Sequence, residues 1–503
     1  MRWLTLWIGL ALTSPAVAQS EGAPADFSAY EQAMASGKRS SAADALLAIV
    51  DSPTDAASRA EAWGRLGGLL SDFDLKTAAL HAYASAIEAD AKAASPHITA
   101  ALDVAEATGD TGRLGAVFAT HLGADVDSDT RSRMAYYAAR ELLRQDELGA
   151  ALGIATLVDS KSAIFPDAES LRGVVLSMQG RHEDALAPML TAQAVARDQD
   201  RGAAFDSVIS LNVARTYYGA KNWTKAVYWF EQVSRESDYW PEAQYERAWA
   251  HFRADDMQGA VAALHSHDAP FFDAWYFPEA DLLRAYSYFM MCKFGDASNE
   301  MDEFTERYTP LKADLDTHLG AMSPQDGWAE GLAMQAGTAT TLPAMVLRGF
   351  RAEQRLADSA LAVETADREL ARVGALDGTQ IGPRAQQWTT DRRDAIVRSE
   401  GDRILSRARN AQAELEELLT GMEITRLDLL NLETEMYQRA SVTGKLDYGD
   451  PVGKLRDMKK KRRGMRVWPY QGEFWADELG WYVVDARPEC PDSMNRGDAN
   501  GPR

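Results

Sequence analysis

The feature that most limits what this chain can fold into is a recurrence of small residues at long, nearly regular intervals. Ala151, Ala185, Ala226, Ala260 and Ala297 follow one another at gaps of 34, 41, 34 and 37 residues. Around Ala226 the unit reads "LNVARTYYGAKNWTKAVYWFEQV", Leu211 to Val233. Val213, Ala214 and Tyr217 precede a polar break at Lys221 and Asn222, and Phe230 and Val233 follow it. Before Ala185 stand Gly173 and Leu176, with Met189 and Ala192 after it. Ala248 and Trp249 precede Ala260, and Leu264 follows. Ala285 and Tyr288 precede Ala297, with Met301 and Phe304 beyond. An earlier unit, "WGRLGGLLSDFDLKTAALHAYASA", sets Trp63, Leu66, Gly67 and Leu70 before Ala79, Tyr83 and Ala86. A surface helix carries one apolar stripe, whereas these stretches are apolar on more than one side. Each reads as two helices joined by a tight turn. A hairpin of this size cannot bury both faces alone, so neighbours must stack into one continuous core.

The joint recurrence of small and large positions resembles the tetratricopeptide repeat, whose period is about 34 residues with variable linkers. A degenerate unit fits around "ITAALDVAEATGDTGRLGAVFATHL". The spacing predicts six or seven hairpins from about residue 27 to about residue 314, within an array assigned to residues 19–320. Arrays of this kind present an inner groove made mainly by the first helix of each hairpin. The groove-facing positions are Arg215, Tyr218, Tyr245, Trp249, Phe252, Arg253, Tyr286 and Phe289. Aromatic residues with Arg are the composition of binding hot spots. The surface has two readings: it takes a protein partner, or the chain's own Trp-rich tail fills it.

Beyond the array, "MSPQDGWAEGLAMQAGTATTLP", Met322 to Pro343, reads as a linker or loop because Gly, Ser, Thr and Pro thicken there. Residues 340–445 read as a helical hairpin. Its first helix offers Leu356, Val363 and Leu370 at sevens, before a stop at Gly374. The second runs from about Trp388 to about Ala440. It carries Ile404, Ala408, Ala411, Leu415, Leu418, Met422, Leu429, Leu432 and Met436, with Thr425 in the expected gap. Alternating steps of four and three are the coiled-coil period. An antiparallel hairpin, with Leu415 and Leu418 against Leu356 and Val363, satisfies it; a parallel homodimer through the longer helix is the rival. Residues 446–503 hold a basic run, Lys459 to Arg463, then the aromatic "VWPYQGEFWADELGWYVV", then Cys490 and a polar end. The fold class is therefore all-α: a tetratricopeptide-type solenoid, a long helical hairpin and a Trp-rich tail.

The first 18 residues have the form of a cleavable signal peptide. Arg2 is followed by the apolar "LTLWIGLAL" and by "AVA" at Ala16 to Ala18, with cleavage before Gln19. The apolar run is too short to span a bilayer, which takes roughly 20 residues, and no other stretch of spanning length appears. A periplasmic location is expected. The formal net charge of −22 argues against nucleic-acid binding, which needs a basic face. The basic run either neutralises the acidic array or meets an acidic partner or headgroup. No metalloprotease, nucleophile-elbow, Walker or dinucleotide motif is present. His265 and His267 form the one close histidine pair and lack flanking Cys, so surface or capping roles are expected and not a metal site. Neither a cofactor nor an enzymatic activity is expected. The alternative is a saccharide-binding or glycan-processing envelope protein using Glu473, Asp477 and Glu478 among the tail aromatics. Cys292 and Cys490 are the only two cysteines; in an oxidising compartment they are candidates for a disulfide that folds Trp468, Trp475 and Trp481 back onto apolar surface.

Two segments, "FPEADLLRAYSYFMMCKFGDA" around Cys292 and "VWPYQGEFWADELGWYVV" before Cys490, resemble the periplasmic tetratricopeptide proteins of gliding deltaproteobacteria, the adventurous-gliding-motility type T. The likeness covers roughly residues 200 to 490. It implies an envelope scaffold attached to a motility machinery, with protein partners.

Overall fold

The computed structural model describes residues 23–272, 274–376, 378–443, 472–475 and 477–484. The signal-peptide reading, the basic run, Trp468 and Cys490 lie outside the described residues. Sixteen helices pair into eight hairpins. They are α1 (Ser28–Ala35) with α2 (Arg39–Val50), α3 (Ala56–Asp72) with α4 (Lys76–Ala89), and α5 (Ser95–Thr108) with α6 (Thr111–Phe118). Next come α7 (Ser128–Arg144) with α8 (Leu148–Ala155) and α9 (Phe165–Met178) with α10 (His182–Asp198). The last three are α11 (Gly202–Gly219) with α12 (Trp223–Phe230), α13 (Trp240–Arg253) with α14 (Met257–His265), and α15 (Pro278–Met290) with α16 (Phe294–His318). The count exceeds the six or seven expected.

A backbone signature shows why all eight belong to one series. The turn inside each hairpin holds one residue in the left-handed region: Gly37, Asp74, Gly109, Asp146, Gly180, Lys221, Asp255 and Cys292. Only glycine adopts that conformation freely, with Asp tolerated through its short polar side chain. Five residues after each stands Ala42, Ala79, Leu114, Ala151, Ala185, Ala226, Ala260 or Ala297, every one of them 0 % exposed. Leu in the third hairpin and short helices in the first explain why those two were hard to see in the sequence. The small residue lets the second helix close on the first. Gly67 shows the same need from the other side, since a Cβ there would strike the Tyr83 ring.

The segment Met322–Pro343 is not simply a linker, for α17 (Pro324–Ala336) lies within it. Ser323 and Asp326 form a capping box at its start, the arrangement that satisfies two orphan donors. Its glycines are packing residues: a Cβ on Gly327 would meet the Gly401 carbonyl, and one on Gly401 would overlap that of Pro324. After the short α18 (Ala344–Leu347) come α19 (Gln354–Leu370) and α20 (Ile381–Thr443). At 1.5 Å per residue α20 is about 95 Å long.

α19 and α20 are antiparallel, clasped by Arg355 to Glu400 (2.7 Å), Arg403 to Glu353 (2.7 Å) and Thr389 to Glu369 (3.4 Å). That register sets Leu356 near residue 400 and corrects the expected pairing with Leu415 and Leu418. α19 has 17 residues and is too short to reach them. The stripe Ile404, Ala408, Ala411, Leu415, Met422 and Leu429 is buried nonetheless. It shares one apolar cluster with Tyr276, Phe304, Tyr308 and Leu315 of the eighth hairpin and its approach. The N-terminal part of α20 packs elsewhere. Ile381, Ala385 and Trp388 join the core of the first hairpins, with Trp388 stacked on His81 at 4.5 Å and tilted on Trp63 at 5.5 Å. One helix thus joins the first hairpins to the last.

Candidate partner-binding surface

The expected groove residues fall into two groups. Tyr286 and Phe289, on α15, meet α20: the Tyr286 hydroxyl and Thr425 Oγ1 are 3.0 Å apart, and Phe289 packs on the cluster that contains the α20 stripe. Tyr286, Trp249 and Arg140 hold the same place in their hairpins, eleven residues before the small residue of the second helix. Arg140 lines a cavity closed by Arg392 and Glu400 of α20. α20 therefore lies along the inner side at the fourth and eighth hairpins.

The other six belong to hairpins six and seven. Arg215 bridges the two first helices, reaching Glu246 Oε1 and Oε2 at 2.9 Å and Glu242 at 2.7 Å. The Tyr245 hydroxyl donates to Glu279; burial, then that bond, pushes its pKa above the ordinary tyrosine range. Its ring lies 5.6 Å from Phe277. Tyr245 is thus committed to the junction with hairpin eight. Tyr218, Trp249 and Phe252 are half-buried and Arg253 is exposed. The sequence reading passed over Trp223, which ties them together. Its ring stands 5.0 Å from Tyr218, edge-on, and carries the Arg253 guanidinium at 5.7 Å. Trp249 and Phe252 form a second edge pair at 5.8 Å. The signal was present as an aromatic in the first turn of α12, beside a break already recognised.

The tail takes a different route. Gly480 N donates to Ser266 Oγ at 2.7 Å, Arg247 Nη2 donates to the Gly480 carbonyl at 3.1 Å, and Arg235 Nη1 donates to that of Asp477 at 2.9 Å. Leu479, 7 % exposed, enters the core beside Trp240 and Phe230. The left-handed turn at Gly480 (φ 83°) lets it do so, and a Cβ there would press on Trp240. Phe474 and Tyr482 pack on the His265 ring at 5.2 and 4.8 Å. The expected docking of Trp475 and Trp481 on apolar surface is corrected: they are 60 % and 66 % exposed, the latter under Arg235 at 5.6 Å. Phe474 and Tyr482 turn inward on either side of the turn at 477–480, which inserts Leu479, while Trp475 and Trp481 stay outside.

His267 is buried, hydrogen-bonded to the Pro241 carbonyl at 2.9 Å, and pushed down to about 4 by burial. It is a structural residue, as is His265. Cys292, at the turn of hairpin eight, is disulfide-bonded; its candidate partner Cys490 lies outside the described residues.

Compared with known proteins, no family model and no curated protein matches the chain. Among solved structures it is similar to a chain of the crystal structure of the APC/C hetero-tetramer Cut9-Hcn1, at 12 % identity over 78 % of this chain and 95 % of that one, with a TM-score of 0.19. The class rests on the chain's own geometry: eight hairpins with a repeating left-handed turn and, five residues on, a fully buried residue that is Ala in seven of them form an all-helical solenoid of the tetratricopeptide type. No helix among the described residues is long and apolar enough to cross a membrane.

Proposed function

We propose that this chain is a non-enzymatic interaction scaffold that holds a protein partner on the aromatic and arginine surface of hairpins six and seven. The observation that carries the reading is the cluster of Tyr218, Trp223, Trp249, Phe252 and Arg253, half-buried or exposed at one end of two adjacent hairpins. Clustered Trp, Tyr and Arg is what binding hot spots are made of. At the fourth and eighth hairpins the chain's own α20 lies on the inner side, whereas this cluster is formed within hairpins six and seven. The partner we propose is a protein of the cell envelope. Export through residues 1–18 supports it, as does the cysteine pair Cys292–Cys490, which we propose as an intramolecular disulfide. The resemblance to the gliding-motility type T proteins extends the reading to a motility complex.

A photo-crosslinking residue at Trp249, in cells, tests the reading. A discrete envelope partner should be trapped, and Trp223→Ala with Arg253→Ala should lose it while far-UV circular dichroism is unchanged. Trapping that the double variant leaves intact would place the partner elsewhere.

A further inference from the structure

A cavity of about 640 Å³ lies between hairpins three and four and the pair α19–α20. Its walls bring five arginines together from four helices: Arg113, Arg140, Arg144, Arg355 and Arg392. Three of them have a carboxylate. Arg392 Nε donates to Asp110 at 2.7 Å, Arg355 Nη2 meets Glu400 at 2.7 Å, and Arg144 Nη2 meets Glu141 at 2.8 Å. The other two are differently placed. Arg113 bonds a neutral imidazole, His81 Nδ1 at 2.7 Å, in a histidine pushed down to about 4 by burial and by the arginine itself. Arg140 bonds the Thr111 hydroxyl. The Nε of each is buried with no hydrogen-bond partner.

A guanidinium is a five-donor fork made for oxyanions, and a buried donor left unmet is costly. The charges also crowd one another. Burial and Arg392 lower the pKa of Arg113 against the pull of Asp110 and Glu88; burial, with Arg140 and Arg355, lowers that of Arg144 against the pull of Glu141. The first turn of α6 opens on the same cavity, and its N-cap residue Asp110 gives its carboxylate to Arg392 and caps nothing. Of the other carboxylates on the walls, Glu88 is exposed and its charge acts on Arg113, and Asp358 accepts from Gln354 at 2.7 Å. Val117 of α6 and Ile396 of α20, both nearly buried, add apolar lining.

We propose that this cavity binds a small phosphate monoester, its phosphate held by Arg113 and Arg140 and its organic body against Val117 and Ile396. A tetrahedral dianion suits donors that converge from several helices, and paired guanidiniums bind it through charge-assisted bonds. The volume is several times that of a phosphate group, which leaves room for the apolar body. Because the walls belong to both the array and α19–α20, the ligand would also tie the two together.

Calorimetric titration of the full-length chain at fixed ionic strength, with phenyl phosphate and with inorganic phosphate, tests the proposal. Phenyl phosphate should bind saturably and more tightly than inorganic phosphate. Arg113→Gln and Arg140→Gln should each weaken it about tenfold or more, a loss of about 1.4 kcal/mol. Arg113→Lys and Arg140→Lys, which keep the charge but lose the Nε donor, should weaken it too and serve where the Gln variants fail to fold. Arg172→Gln, at another arginine with an unmet Nε but outside the cavity, should leave binding unchanged. The proposal is overturned if neither probe binds saturably, if the cavity variants bind like the parent, or if Arg172→Gln loses as much. Equal affinity for the two probes would overturn the apolar half of the site.

Discussion

The two ends of α20 are held by different amounts of buried apolar surface. Toward its C-terminus the helix buries Ile404, Ala408, Ala411 and Leu415 completely, and polar contacts frame them, Tyr276 Oη donating to the Ala411 carbonyl at 3.2 Å, Gln412 to Asp316 at 2.6 Å and Arg426 to Asp302 at 2.5 Å. At its N-terminus Ile381, Ala385 and Trp388 are buried in the core of the first hairpins, surrounded by aspartates of the array facing arginines of the C-terminal helices. Asp51 meets Arg384 at 3.2 Å, Asp74 meets Arg372, and Asp110 meets Arg392. The helix starts are shared across the junction as well. Asp44 accepts from Gln380 N and Ile381 N at 3.0 and 2.9 Å, and Glu369 accepts from Thr77 N at 2.6 Å. Apolar burial holds both junctions, whereas the half-exposed pairs Asp51–Arg384 and Asp74–Arg372 at the N-terminal one contribute little and are screened by salt. The N-terminal junction buries the shorter stretch of the apolar face of α20.

The largest effect should come from breaking the buried end. Leu415→Asp places an unpaired charge in the core and should cost about 3–5 kcal/mol, read as a lowered midpoint of thermal or urea unfolding. A loss under about 1 kcal/mol would mean the stripe is not packed as described.

Trp388→Ala comes next. Removing the aromatic anchor of the other end should cost about 3 kcal/mol. It should raise hydrogen exchange in α2 and α4 more than in α16. Uniform exchange across the chain would erase the distinction between the two junctions.

The third test concerns hairpin eight, where Arg284 lies buried among Asp268, Asp281 and Glu300. Burial raises Glu300 from 4.5 to about 7, with the pull of Arg284 opposing. The folded state then holds a proton that the unfolded state has released between those two values. Glu300 opposes stability least below pH 4.5, and stability declines as pH rises to about 7, by up to about 3 kcal/mol. Glu300→Gln should remove that decline. An identical pH profile in parent and variant would show that the carboxyl does not carry it.

The smallest effect belongs to the exposed pairs. Arg384→Ala and Arg372→Ala should each cost about 0.5 kcal/mol or less at low salt and nothing measurable at high salt. A loss of more than about 2 kcal/mol would make the ionic contacts primary.

Much of this was legible in the residues, for reasons that differ by region. Ala151, Ala185, Ala226, Ala260 and Ala297 are all fully buried, because closeness of two helices inside a hairpin is written locally as a small side chain. The stripe on α20 was legible as a buried face, since periodicity reports burial. Its partner was not, since periodicity says nothing about what covers a face. α17 was read as a loop because Gly327 and Gly331 look like helix breakers by composition, while in the structure they admit the α20 backbone and Ile404. The direction of Trp475 and Trp481 depended on one glycine turn at Gly480. Among the surface residues, Arg215 and Tyr245 proved to be tied to neighbouring hairpins, and Trp223 was missed although it stands beside Tyr218.

The closing of the array by α20 is open to one direct measurement. A photo-crosslinking residue in place of Arg384, which is exposed and 3.2 Å from Asp51, should react with the end of α2 in the same chain. Peptide mapping of the monomer is expected to recover a link between α20 and the segment around Asp51, weakened by Trp388→Ala. Links confined to α19 and α20, or found only between two chains, would contradict a helix that joins the first hairpins to the last.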